Sequence, residues 1–87
     1  MQADHQQVAR LLKTARGQLD GILKMIDEDR YCIDVSNQIM AAMAILDRAN
    51  REVITAHLKT CLLNASDAAD RKTKVDEIVD LIDRMPR

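Results

Sequence analysis

Two thiols and one imidazole carry most of the chemistry available to these 87 residues: Cys32, His57 and Cys61. Thiolate and neutral imidazole are both ligands for soft and borderline metal ions. His57 and Cys61 are four positions apart, the spacing that stacks two side chains on one face of a helix, close enough to hold one ion. At about 100° per residue, Cys32 falls on nearly the same face if the helix reaches back to it, together with Ile39, Met43, Leu46, Val53 and Ile54. All three donors then line one apolar stripe. A His and a Cys at this spacing also suit a nucleophile and its base, but no oxyanion donors, glycine-rich turn or orienting third residue accompany them, so the reading is not an enzyme. The plain alternative makes the cysteines small core hydrophobes and His57 a satisfied interfacial histidine.

The elements that must position these residues read as helices. Two glycines, one proline, one tyrosine and no phenylalanine or tryptophan describe an all-α chain. Val8, Leu11, Leu12, Ala15, Leu19, Ile22, Leu23 and Ile26 recur at threes and fours and predict a first helix capped near Asp4. Gly17 and Gly21 lie inside it, either to let another backbone come close or simply tolerated. After the charged run Asp27-Glu28-Asp29-Arg30, a long helix is predicted from about Ile33 to Leu63, with no glycine or proline to break it. Asn64 to Asp67 supply a turn and a cap. A shorter third helix follows through Val75, Ile78, Val79, Ile82 and Met85, ending near Pro86.

Geometry then demands a second chain. A helix from Ile33 to Leu63 measures about 45 Å, longer than a small domain is wide, so part of it must pack on something outside its own chain. Cys32 precedes His57 by 25 residues, or nearly 40 Å of helical rise, and one straight helix cannot bring all three donors to one ion. Two copies packed antiparallel about a two-fold axis near Ile45 and Leu46 would bring Cys32 of each to His57 and Cys61 of the other, making two identical sites. Two thiolates and one imidazole are too few for the closed four-ligand shell of structural zinc, and thiolates select Cu(I), so Cu(I) is the first choice. Zinc completed by a water or a carboxylate is the alternative.

Composition excludes other classes. One domain spanning residues 1–87 is expected, short enough that self-association completes its core. Thirteen basic and fourteen acidic residues nearly cancel, which argues against a polybasic tail. The polar start Met1 to Gln7 has no signal-peptide pattern, and the longest apolar run, Ile39 to Leu46, is too short for a membrane span of about 20 residues. A cytoplasmic protein is expected, and two cysteines in a reducing compartment read as ligands or reactive thiols rather than a disulfide.

Three stretches resemble the copper-sensitive operon repressor family of all-helical bacterial transcriptional repressors that sense metals and thiols. They are Gly17-Gln18-Leu19-Asp20-Gly21-Ile22, the run from Met25 to Val35 around Tyr31-Cys32, and His57-Leu58-Lys59-Thr60-Cys61. The likeness covers nearly the whole chain, and the Cys, His, Cys set resembles the copper branch. Nickel and cobalt sensors of the family resemble a pattern with histidine at the last position, where this chain has Cys61, and another near the N-terminus, whose register His5 does not obviously match. Persulfide sensors lack the histidine, and formaldehyde sensors place a cysteine after an N-terminal proline that is absent here. The resemblance implies that Tyr31 and Glu77 make outer hydrogen bonds to the liganding histidine, which would fix its tautomer.

The resemblance also implies binding of duplex operator DNA by a flat dimer of dimers, without a helix-turn-helix. Arg48, Arg51 and Lys59 fall within a narrow arc of the long helix, opposite His57 and Cys61, and Arg10, Lys13 and Arg16 gather along one side of the first. Repeated by symmetry, such groups could neutralise phosphates at a net charge of −1. The resulting expectation is a repressor that holds DNA in the apo form and releases it on Cu(I) binding. The alternatives are a thiol or persulfide switch using Cys32 and Cys61, or a helical metal-buffering protein without DNA function.

Overall fold

The computed structural model describes residues 1–86 and contains three helices: α1 (His5–Asp27), α2 (Cys32–Leu63) and α3 (Ala68–Arg84). No strand occurs among the described residues. Two compact units are distinguished, one of Asp4–Glu52 and one of Met1–Ala3 with the chain from Val53 onward. No helix is long and apolar enough to cross a membrane among the described residues.

In the first unit α1 starts where its orphan amides find a partner. Asp4 is extended, and its carboxylate accepts hydrogen bonds from the Gln6 and Gln7 amides at 2.9 and 3.3 Å. At the other end the Asp29 amide donates to the Ile26 carbonyl and the Arg30 amide to the Met25 carbonyl, both at 3.0 Å. This pair of bonds requires the residue between them and the helix to be left-handed, and Asp29 has φ 53°. The charged run thus ends α1 by hydrogen-bond geometry as well as by breaking the apolar pattern. Tyr31 accepts the first bond of α2 from the Val35 amide at 3.1 Å, so α2 begins at Cys32, one residue before the expected start.

The buried positions of this unit repeat every seven residues: Val8, Ala15 and Ile22 on α1, Ala42 and Ala49 on α2. Seven is the repeat of a helix–helix seam, and alanine at three of the five positions leaves little bulk for the seam to accommodate. The larger side chains stay in water. On α2, Ile39, Met43 and Leu46 of the predicted stripe are 42–54% exposed, and on α1 Leu12, Leu19, Leu23 and Ile26 are also exposed. Apolar surface of this extent on one chain marks an interaction surface.

The glycines do not admit a neighbouring backbone within the chain. A Cβ built at Gly17 or Gly21 meets nothing within 4 Å. By helical spacing both lie on the side of α1 turned away from Val8, Ala15 and Ile22, which explains the open space. Gly17→Ala is therefore expected to raise stability by about 1 kcal/mol, the helix-propensity difference, in denaturant unfolding. A loss of stability would reveal another molecule against this face.

In the second unit the segment between α2 and α3 is fixed by two aspartates. Asp67 caps α3 by accepting from the Asp70 amide at 2.7 Å. The Asp70 carboxylate accepts from the Ser66 amide at 2.9 Å and from its hydroxyl at 3.3 Å, and pairs with Lys74 at 3.4 Å. The Ser66 amide, and then Lys74, hold the Asp70 carboxyl below the ordinary carboxylate range. A lowered folded pKa contributes stability that is complete above the unfolded value of about 4 and disappears as pH falls through the folded value. Asp70→Asn should accordingly reduce the difference in urea midpoint between pH 7 and pH 3. An unchanged difference would remove this carboxylate from the acid response. Ile54 and Ile78 are the buried apolar side chains of α2 and α3 in this unit.

Candidate metal centre

His57 and Cys61 occupy the last two turns of α2, where uninterrupted helix places positions four apart on one face. The Cys61 Sγ lies 3.2 Å from His57 Nε2 and 3.8 Å from His57 Nδ1. His57 is exposed and Cys61 half-buried, so the pair is reachable from outside the chain. An ion bonded to sulfur at about 2.3 Å and to nitrogen at about 2.0 Å, at a tetrahedral angle, holds the two atoms about 3.6 Å apart. The two distances, one to each ring nitrogen, both lie within about 0.4 Å of that span, and the donor set fits a thiophilic ion.

Cys32 is the first residue of α2 and is exposed. It borders an open depression of about 320 Å³ lined also by Ile26, Arg30, Val35 and Ile39. Both cysteines are free thiols. Among the described residues of one chain, no three His, Cys, Asp or Glu side chains are grouped to hold a metal ion. The pairing of His57 with Cys61 is thus present within the unit from Val53 onward, and Cys32 belongs to the other unit.

The other predicted residues are placed as follows. Tyr31, in the turn before α2, is 68% exposed. Glu77 is exposed on α3, and no hydrogen bond joins it to His57 among the described residues. His5, in the first turn of α1, is exposed and shares an open groove with Gln6, Ala9, Arg10, Lys13 and Thr14. Arg10, Lys13, Arg16, Arg48, Arg51 and Lys59 are all exposed. Of these six, only Arg51 is in an ion pair among the described residues, bonding through Nε to Asp47 at 2.8 Å. Arg10 donates weakly to Gln7 at 3.5 Å.

Sequence reasoning placed Ile26 in the apolar stripe of α1 and Arg30 in the charged run after it, but did not set either beside Cys32. Arg30 sits two positions from Cys32 in sequence, and its pairing with Glu28 at 3.6 Å keeps it in the turn. The usable signal was the short connection between two helical patterns, which must fold the end of one against the start of the next.

A family model described as metal-sensitive transcriptional repressor matches residues 4–84. The copper-sensing transcriptional repressor CsoR of Mycobacterium ulcerans is 43% identical over 75 residues, covering 86% of this chain and 64% of the relative. The chain therefore spans just under two thirds of that relative's length. The solved copper-sensing repressor CsoR with Cu(I) from Geobacillus thermodenitrificans has a TM-score of 0.81 at 29% identity, covering 91% of this chain and 82% of that one. The nickel-responsive transcriptional regulator InrS has a TM-score of 0.80 at 26% identity, covering 97% and 94%. The three-helix, all-α architecture is shared with these solved structures.

Proposed function

The chain belongs to the family of metal-sensitive transcriptional repressors, and from that premise we propose that it is a Cu(I)-responsive repressor that holds operator DNA when metal-free and releases it when loaded. The observation that carries this reading is the His57–Cys61 pair, 3.2 Å apart on the helix that Cys32 opens. Cys32 of one chain and His57 and Cys61 of an antiparallel neighbour would together hold the ion. Two sulfurs and one nitrogen suit Cu(I), and copper-sensing relatives favour it over zinc. The exposed Ile39, Met43 and Leu46 supply an apolar surface for the neighbour to cover, with the two-fold axis near Ile45 and Leu46. Two such dimers would assemble into a tetramer, each chain acting as one domain in the cytoplasm. Tyr31 and Glu77 would make the outer hydrogen bonds to the liganding imidazole and fix its tautomer.

The same helices would present Arg10, Lys13, Arg16, Arg48, Arg51 and Lys59 to phosphates. Cys32 of one chain with His57 and Cys61 of its neighbour would hold one soft cation at each of two identical sites, joining the start of one α2 to the end of the other. Joining Cys32 to the neighbour's His57 and Cys61 would move the helices that carry the arginines, so that the basic groups would lose their match to the duplex. Metal and DNA then oppose each other by equal factors, as linkage requires. The test is fluorescence anisotropy on duplex DNA from upstream of the protein's own gene, titrated with Cu(I) under anaerobic conditions. Salt-sensitive binding by the apo protein and release near one Cu(I) per chain are expected. Binding that is indifferent to Cu(I), or no sequence-specific binding at all, would refute the reading.

A further inference from the structure

One face of α1 carries positive charge and bare backbone side by side. At about 100° per residue, Arg10, Lys13, Gly17, Gly21 and Lys24 fall within one arc of about 80°, turned away from the buried Val8, Ala15 and Ile22. All five are exposed. Gln6 shares the arc, which contains no apolar side chain; the exposed Leu12, Leu19, Leu23 and Ile26 lie on another side of the helix. Asp20 borders the arc and Lys24 lies 3.9 Å from Glu28, so the face is basic without being uniformly so. Resting on the operator-DNA reading, we infer that this face is where the sugar-phosphate backbone of the duplex comes against the main chain of α1, at Gly17 and Gly21, while Arg10 and Lys13 before the glycines and Lys24 after them hold the flanking phosphates.

The backbone conformation does not call for either glycine. Neither has a positive φ, and glycine weakens a helix interior relative to alanine. What glycine adds there is room, since the absent Cβ lets a ligand approach the main chain. Charge decides which ligand. A helix of a second copy packs through apolar side chains, which this arc lacks, whereas a duplex presents a row of phosphates that cations on both sides of the gap match. A duplex seated on bare backbone also lies nearer to Arg10, Lys13 and Lys24, which then reach phosphates without full extension. Contacts of this kind fix the distance and register of the protein on DNA and carry no base sequence.

The experiment compares the full wild-type chain, the double variant Gly17→Ala/Gly21→Ala and Lys24→Ala, all metal-free. Fluorescence anisotropy on duplex DNA from upstream of the protein's own gene is measured over a range of salt, with urea unfolding and sedimentation equilibrium on the same samples. The double variant should unfold at higher urea, keep the wild-type mass and bind the operator about tenfold more weakly, a gain of stability with a loss of function. Lys24→Ala should reduce the slope of log affinity against log salt by about 1 for each copy that touches a phosphate. Unchanged operator affinity in the double variant, or an unchanged slope in Lys24→Ala, overturns the inference and leaves the operator-DNA reading standing. A lower urea midpoint or an altered mass in the double variant assigns the face to a contact between copies and overturns it too. No sequence-specific binding by wild type overturns both.

Discussion

His57→Ala is expected to remain on operator DNA at Cu(I) concentrations that strip the wild-type protein from it. Metal–ligand couplings of this kind amount to about 5–150-fold in affinity, and the variant should bring that factor close to one. The reason lies in the geometry of the last two turns of α2. His57 Nε2 lies 3.2 Å from the Cys61 Sγ, and removing the imidazole leaves Cys61 without a neighbouring side-chain donor among the described residues. His57 is exposed, so truncation opens no void and the apo protein should fold and bind DNA as before. Loss of coupling can then be separated from loss of structure by measuring DNA affinity with and without Cu(I), alongside far-UV circular dichroism. A variant with wild-type copper affinity and wild-type copper-induced release would show that the pair at 3.2 Å is incidental.

That pair was legible from the sequence because an uninterrupted helix turns a spacing of four into a shared face. The helix ends were legible too, since Asp4 and Asp67 accept from the amides that a capping residue is expected to satisfy. The turn after α1 was harder. Asp29 adopts φ 53°, a conformation usually given to glycine and only more weakly favoured by aspartate, so its signal in the sequence was faint. The glycines left two readings open, close approach or tolerance, and among the described residues nothing comes within 4 Å of a Cβ at Gly17 or Gly21. Which apolar positions are buried also escaped the pattern. Periodicity assigned Ile39, Met43 and Leu46 to one stripe, but a single chain buries the smaller Ala42 and Ala49 instead. A lone sequence encodes contacts with copies of itself in the same alphabet as contacts within itself, and only coordinates distinguish them.

The same distinction ranks the basic residues, and here the expected effects diverge between two arginines three positions apart. Both Arg48 and Arg51 are exposed on α2, but Arg51 bonds to Asp47 at 2.8 Å whereas Arg48 is in no ion pair among the described residues. A phosphate competing for Arg51 must displace a carboxylate or share the guanidinium with it, and the negative charge of Asp47 stays beside the duplex. Arg48 meets a phosphate with its charge unopposed. Arg48→Ala should therefore weaken operator binding about tenfold near physiological salt, and reduce the slope of log affinity against log salt by about 1 for each copy that touches a phosphate. Arg51→Ala should cost less, because a guanidinium already bonded to Asp47 has a weaker phosphate contact to lose. The removal of Asp47 itself offers the converse: Asp47→Asn frees Arg51 and should strengthen binding while steepening the salt slope. Equal losses for the two arginines, or an Asp47→Asn variant that binds more weakly, would mean that the ion pair yields to DNA and that its presence in the free chain does not determine which cations hold the operator.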